Sequence, residues 1–282
     1  MSQLYSLPEY GVIEISGDDR ISYLQGQFTC DMTQLAELGS LAGCHCDAKG
    51  KMWSNFVLSQ DSDRILMVLR KSILAPCLAA LQKFAVFAKA EIKDVSDDWQ
   101  VSGSLSPIDL AGAIQIPTVE NCALILTSDF IATEVNNTAW FIHHIEQVWP
   151  ELEHPDMVSE FVPQMLNQAD LNAVNFKKGC YIGQETIARM QYLGKQKRAT
   201  FYLKGPGCNI HAGDTVEVNR NGNWRRAGQV VNAVSGEDGT QHVLAVLPAD
   251  SATDEVFRAA EKVNSQLALQ ALPYPLSTLE QS

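Results

Sequence analysis

Lys177-Lys178-Gly179-Cys180-Tyr181-Ile182-Gly183-Gln184-Glu185 sets a cysteine on a glycine-flanked loop, directly after two lysines and just ahead of a predicted helix start. Positive side chains and the amide dipoles of a helix N-terminus both favour the thiolate, the nucleophilic, oxidisable and metal-binding form of cysteine. Cys180 is therefore a candidate reactive residue, with Lys177 and Lys178 as its stabilisers. The alternative is an inert cysteine in an ordinary strand-to-helix turn. Gln184 and Glu185 start the helix and orient the loop, and Arg189 is spaced to pair with Glu185 at i,i+4.

The surroundings are charged in one sense. Segment 176–198 holds Lys177, Lys178, Arg189, Lys195, Lys197 and Arg198 against the single acid Glu185, while the whole chain carries a formal charge of −12. A positive island on an acidic protein suits a negatively charged small ligand or a short stretch of phosphate. The acidic balance elsewhere argues against tight, independent binding of structured RNA, which calls for a broad basic face.

At 282 residues, with 46% hydrophobic and 19% charged residues, the chain has room for two or three compact modules and reads as soluble and globular. No apolar run approaches bilayer length. Met1-Ser2-Gln3-Leu4-Tyr5 lacks the basic-then-apolar pattern of a secretory leader. Seven scattered cysteines (30, 44, 46, 77, 122, 180, 208) suit free thiols in a reducing cytoplasm, so a cytoplasmic location is expected.

Working outward, Val12-Ile13-Glu14-Ile15 reads as a strand, followed by a helix capped by Asp18 or Asp19 with Ile21, Leu24 and Phe28 on one face. Trp53–Ser59 and Ile65–Leu69 read as strands of a hairpin turning at Asp61-Ser62-Asp63-Arg64. A helix with Ser72 as cap and Pro76 near its first turn presents Leu74, Leu78, Leu81 and Phe84, and Val86–Ile92 reads as a strand. In the middle, Trp99–Ser102, Ala123–Leu126 and Ala139–Ile142 read as strands between short helices, a mixture that suggests α+β modules. From about 199, Thr200–Leu203, Thr215–Val218, Gly228–Val234 and Val243–Val246 are strands separated by glycine-rich turns, the pattern of a small β-barrel.

Four ordered segments then resemble one known family. Phe176–Glu185 matches the K-G-C-Y-x-G-Q-E signature of the YgfZ-type folate-binding proteins, which are related in fold to the T-protein (aminomethyltransferase) of glycine cleavage. Tyr23-Leu24-Gln25-Gly26-Gln27-Phe28-Thr29-Cys30-Asp31, His45-Cys46-Asp47-Ala48-Lys49-Gly50-Lys51-Met52-Trp53 and Phe161-Val162-Pro163-Gln164-Met165-Leu166-Asn167 resemble further motifs of that family. Leu193 departs from it, standing where relatives often carry arginine, and the middle region is short.

The resemblance implies an α+β fold: two interleaved ferredoxin-like modules over residues 1–198, divided near 95 around a central channel, and a C-terminal barrel over 199–282. It implies a tetrahydrofolate-type ligand in the channel, flanked by Tyr10 and Trp140, whose aromatic faces can stack on a pterin. Lys177, Tyr181, Gln184 and Arg189 join these as expected ligand-binding residues, and Cys180, Lys178 and Glu185 as the reactive group. It further implies service to iron–sulfur enzymes, with a transient iron–sulfur cluster, and through them to tRNA thiomethylation. A monomer acting as an accessory protein rather than a classical enzyme is expected; the alternative is a folate-dependent aminomethyl transferase using a carboxylate such as Asp18, Asp19, Asp31 or Asp47. Lys49-Gly50-Lys51 could meet an anionic folate tail or be a solvated hairpin. No metal ligands are assigned: in a strand His45 would point away from Cys44 and Cys46, and the other cysteines lack metal-site spacing.

Overall fold

A computed structural model describes residues 3–276 apart from Lys195, Cys208 and Val263. Cys208 and Lys195, one of the seven cysteines and one of the basic island's cations, lie outside the described residues.

In chain order the first part contains β1 (Leu4–Ser6), β2 (Tyr10–Ser16), α1 (Arg20–Gln25), α2 (Leu35–Leu38), β3 (Ser40–Cys46), β4 (Met52–Asp61), β5 (Arg64–Arg70), α3 (Leu74–Phe84) and β6 (Glu91–Asp94). Next come β7 (Gln100–Ser104), β8 (Ile114–Pro117), β9 (Ala123–Thr127), α4 (Thr138–Glu146) and α5 (Gln184–Leu193). The last part is β10 (Arg198–Pro206), β11 (Thr215–Arg220), β12 (Asn223–Ser235), β13 (Thr240–Pro248), β14 (Val256–Ala259) and β15 (Leu267–Leu269).

Five strands form an antiparallel sheet in the order β3-β4-β5-β2-β6, and four form a second in the order β1-β7-β9-β8. The N-terminal strand thus belongs to the second sheet, so the two α+β modules are interleaved. The run Ile65-Leu66-Met67-Val68-Leu69 explains how they stack. With side chains alternating along a strand, Ile65, Met67 and Leu69 join Ile13 and Ile15 in a core shared with α1 and α3. Leu66 and Val68 join Tyr10, Val12 and Val57 in a second core against the second sheet. A strand buried on both faces reads as a continuous apolar run. The β4–β5 hairpin turns at Ser62-Asp63 as expected, with Ser62 in the left-handed region.

The barrel closes in the order β10-β13-β12-β11-β14-β15, with β15 returning to pair β10. Asn221 and Gly222, both at positive φ, make the tight β11–β12 turn. Phe201, Val216, Val230, Ala245 and Phe257 fill its interior.

Several local expectations are corrected. Ala139–Ile142 lies within α4 rather than a strand: Trp140, His144 and Ile145 are buried on one face, a helical spacing that a four-residue window conceals. The strand expected over Val86–Ile92 is confined to β6, and Val86 and Phe87 are exposed. Asp19 stands at the start of α1 without capping it; its carboxylate accepts from the Lys89 backbone N–H. The Ser72 hydroxyl donates to the Glu153 carbonyl and does not cap α3. Strands β1, β8, β14 and β15 were not anticipated. Among the described residues no helix is long and apolar enough to cross a membrane.

Candidate functional site

Three of the four segments singled out in the sequence pack around the fourth, the loop that carries Cys180. The Asn175 side chain accepts from the backbone N–H of Lys177 and Lys178, which turns the chain ahead of Cys180. The Ile182 N–H donates to the Gly26 carbonyl, and Lys178 Nζ donates to the carbonyls of Phe28 (2.7 Å) and Cys30 (2.6 Å), so the 23–31 segment forms one wall. The Asp47–Lys51 turn forms another: Asp47 accepts from the N–H of Lys49 and Lys51, and Gly183 lies so close that a Cβ there would sit 2.5 Å from the Asp47 carbonyl oxygen. From the 161–167 segment, Gln164 Nε2 donates to the Ile187 carbonyl in α5.

Cys180 is exposed at the outer edge of this assembly, and no group among the described residues bonds its thiol. The two lysines separate in role. Lys177 is exposed, whereas Lys178 is buried and turned inward onto two carbonyls and over the Tyr181 ring. Burial pushes the Lys178 ammonium down to about 8, opposed by Cys30 and Asp31. Lys178 therefore holds the loop rather than stabilising the Cys180 thiolate, a correction to the sequence expectation. Tyr181 is buried with its hydroxyl unpaired, and burial, followed by Cys46 and Cys44, pushes its phenol up. Glu185 and Arg189 are both exposed and form no ion pair, so the expected i,i+4 bridge is absent; two solvated side chains gain little from pairing.

A cleft of about 540 Å³ lies elsewhere, where the end of β5, α4 and the barrel meet. Arg70, from the end of β5, is its centre. Its guanidinium contacts Glu153 at 2.5 Å and Glu151 at 3.7 Å, and lies 5.1 Å from the Tyr10 ring centroid and 4.7 Å from that of Phe141. Tyr10 donates to Glu151 at 2.6 Å. Burial pushes both carboxyls up, opposed by Arg70. Arg70 Nη1 is buried without a hydrogen-bond partner, an unsatisfied donor at a charged site. From the barrel side, Asn232 bonds both backbone groups of Glu151 at 2.9 Å.

Of the residues expected to bind ligand, Tyr10 reaches this cluster but is buried behind it. Trp140 does not line the cleft; its fully buried indole packs on Gly103 and His144, because a Cβ on residue 103 would fill the space the ring uses. Phe141, the next residue on α4, lines the cleft together with Trp149. Lys177, Tyr181, Gln184 and Arg189 do not line it. Nor do the candidate bases Asp18, Asp19, Asp31 and Asp47. Sequence reasoning missed Arg70, Glu151 and Glu153. The signal was the alternation Glu151-Leu152-Glu153 after Trp149-Pro150, in which buried Leu152 turns both acids to one side. Cys44, His45 and Cys46 are all buried in β3, and among the described residues no group of three or more His, Cys, Asp or Glu side chains is placed to hold a metal ion.

The family model described as the YgfZ β-barrel domain matches residues 196–262. The "tRNA-modifying protein YgfZ" of Aliivibrio fischeri (strain MJ11) is 35% identical over 297 residues, covering 96% of this chain and 92% of that protein. The protein of the same name from Escherichia coli O45:K1 (strain S88 / ExPEC) is 34% identical over 308 residues, covering 97% and 93%. Among solved structures, the glycine cleavage system aminomethyltransferase T from Bartonella henselae superposes with a TM-score of 0.71 at 13% identity, covering 98% of this chain and 86% of that one, which is a likeness of fold.

Proposed function

This chain belongs to the YgfZ family, and from that premise we propose that it serves tRNA modification as a folate-binding accessory protein, holding tetrahydrofolate in the central cleft and presenting Cys180 to iron–sulfur enzymes. The observation that carries the ligand reading is the cluster of Arg70, Glu151, Glu153 and Phe141 at the three-module junction. Its volume lies within the range of small-molecule sites, and convergent charged groups beside an aromatic ring suit a flat heterocycle with polar edges. Arg70 Nη1, left without a hydrogen bond, and the two carboxyls raised by burial fit a ligand that both donates and accepts hydrogen bonds. Bound tetrahydrofolate would supply one-carbon or reducing chemistry.

In this reading the chain's own residues divide the work. Phe141 and Arg70 bind and orient the ligand, Glu151 and Glu153 engage its donors, and His144 closes the cleft wall as a neutral group, pushed by burial down to about 3. Cys180, outside the cleft, acts on a partner rather than on the folate. The buried carboxyls also favour, as a second reading, a folate-dependent aminomethyl transferase, since a buried carboxyl beside a bound ligand can serve as a general acid or base.

Calorimetry with tetrahydrofolate tests the ligand. Wild type and Cys180→Ala should bind alike, and Phe141→Ala should weaken binding about tenfold. In cells, Cys180→Ala should fail to restore iron–sulfur-dependent tRNA modification. Binding lost in Cys180→Ala, or absent in wild type, defeats the division of roles. Aminomethyl transfer by the purified protein, abolished in Glu151→Gln, would establish the second reading instead.

A further inference from the structure

A second cleft, of about 350 Å³, opens where the Asp47–Lys51 turn and the 160–165 segment meet the barrel. Three cations line it from three separate places: Lys51 from the turn, Arg198 from the start of β10 and Arg226 from β12. Glu160 is the one acid in its wall. None of these four side chains forms an ion pair among the described residues. Arg198 spends one N–H, from Nη1, on the Ala227 carbonyl at 3.0 Å. Phe161, Val162 and Met165 supply an apolar floor.

On a chain of formal charge −12, three unneutralised cations converging on one concavity are the opposite of the average surface. Like charges brought together without a counterion repel, so an anion that binds there gains from all of them at once. Two guanidinium forks and an ammonium match the oxygens of a phosphate group, and their excess of positive charge over Glu160 favours an anion there. We propose that this cleft is a phosphate-binding site, distinct from the central cleft. The group it takes is a phosphate, carried either on a small molecule or in an RNA backbone. The site adjoins the cysteine loop, because the turn that carries Lys51 packs against Gly183. A phosphorylated ligand seated there is held beside the loop that presents Cys180.

Pyrophosphate is the probe, titrated by calorimetry into the full chain at low salt. Wild type should bind it, and Arg226→Gln should weaken binding about tenfold, the loss of one charge-assisted contact. Arg226 is exposed, so that variant should melt as wild type does; Lys51→Gln gives a second, independent reading of the same loss. Tetrahydrofolate binding should be unchanged in both variants, which separates failure of this site from failure of the central one. A transfer RNA that displaces pyrophosphate identifies the backbone as the source, and one that does not identifies a small phosphorylated molecule. No binding of pyrophosphate, or binding indifferent to both substitutions, overturns the site.

Discussion

His45 and His144 are both buried, and burial pushes each imidazole down to about 3, with Arg70 and His143 adding to the effect at His144. His144 sits 3.0 Å from the Trp140 carbonyl through Nδ1, which must therefore carry the proton, and accepts from the Thr118 hydroxyl through Nε2. His45 Nε2 has no partner. Both rings are thus neutral in the native state well below the pH at which an unfolded histidine charges. The unfolded chain binds the extra protons, so stability falls as pH drops from about 6.5 toward 3. One unit below the unfolded value the loss is about 1.4 kcal/mol per histidine. Urea unfolding at pH 7.5 and 5.5 should show wild type losing roughly 2–3 kcal/mol, and His144→Gln losing about half as much. Equal stability at the two pH values would show that the rings protonate in place. At this scale the sequence was least informative: Lys177 and Lys178 look equivalent, yet one is solvated and the other is a buried strut. Side-chain direction in an irregular loop follows from packing, and no periodicity announces it.

Among elements, the cysteine loop depends on Gly183. Its φ of 84° lies in the left-handed region, and a Cβ would meet the Asp47 carbonyl at 2.5 Å. Gly39 has a similar φ of 75° but open space around it, which separates the two effects. Gly39→Ala should cost only the backbone term, about 1–2 kcal/mol. Gly183→Ala should cost that and more, and should also shift the Asp47–Lys51 turn away from the loop. Thiol-reagent labelling of Cys180 reads the second consequence: its rate should change in Gly183→Ala and stay fixed in Gly39→Ala. Matching rates and stabilities in the two variants would mean the turn does not support the loop. The elements themselves were legible where a period ran long enough. The β4–β5 hairpin was read from the residues, as was the α3 stripe of Leu74, Leu78, Leu81 and Phe84, of which Leu74 and Leu81 are buried, Leu78 is half-buried and Phe84 is exposed; the four motifs marked what gathers at Cys180. The reading of Ala139–Ile142 failed because four consecutive apolar or aromatic residues fit a buried strand and a buried helix equally.

The whole molecule is held at its junction by polar pairs whose partners lie far apart in sequence; the alternation Glu151-Leu152-Glu153 marks the acids but not what they meet. Arg70 comes from one sheet, Phe141 from the helix on the other, Glu151 from the linker and Asn232 from the barrel, so the central cleft exists only in the assembled chain. Asn232 is the clasp. It accepts from the Glu151 N–H and donates to the Glu151 carbonyl, both at 2.9 Å, while Tyr274 from the C-terminal segment donates to the Val148 carbonyl at 2.6 Å. Because Asn232 is buried, Asn232→Ala strands two backbone groups, each worth about 1–3 kcal/mol when left unpaired. A drop of roughly 2–4 kcal/mol in chemical unfolding is expected. Asn232→Asp retains the acceptor for the Glu151 N–H but loses the donor to its carbonyl, and should fall between. The clasp also fixes the Glu151 carboxyl beside Arg70, so Asn232→Ala should weaken tetrahydrofolate binding without altering Cys180 labelling. Stability within about 0.5 kcal/mol of wild type would show that water replaces the carboxamide, and that barrel and sheets are joined by apolar contact instead.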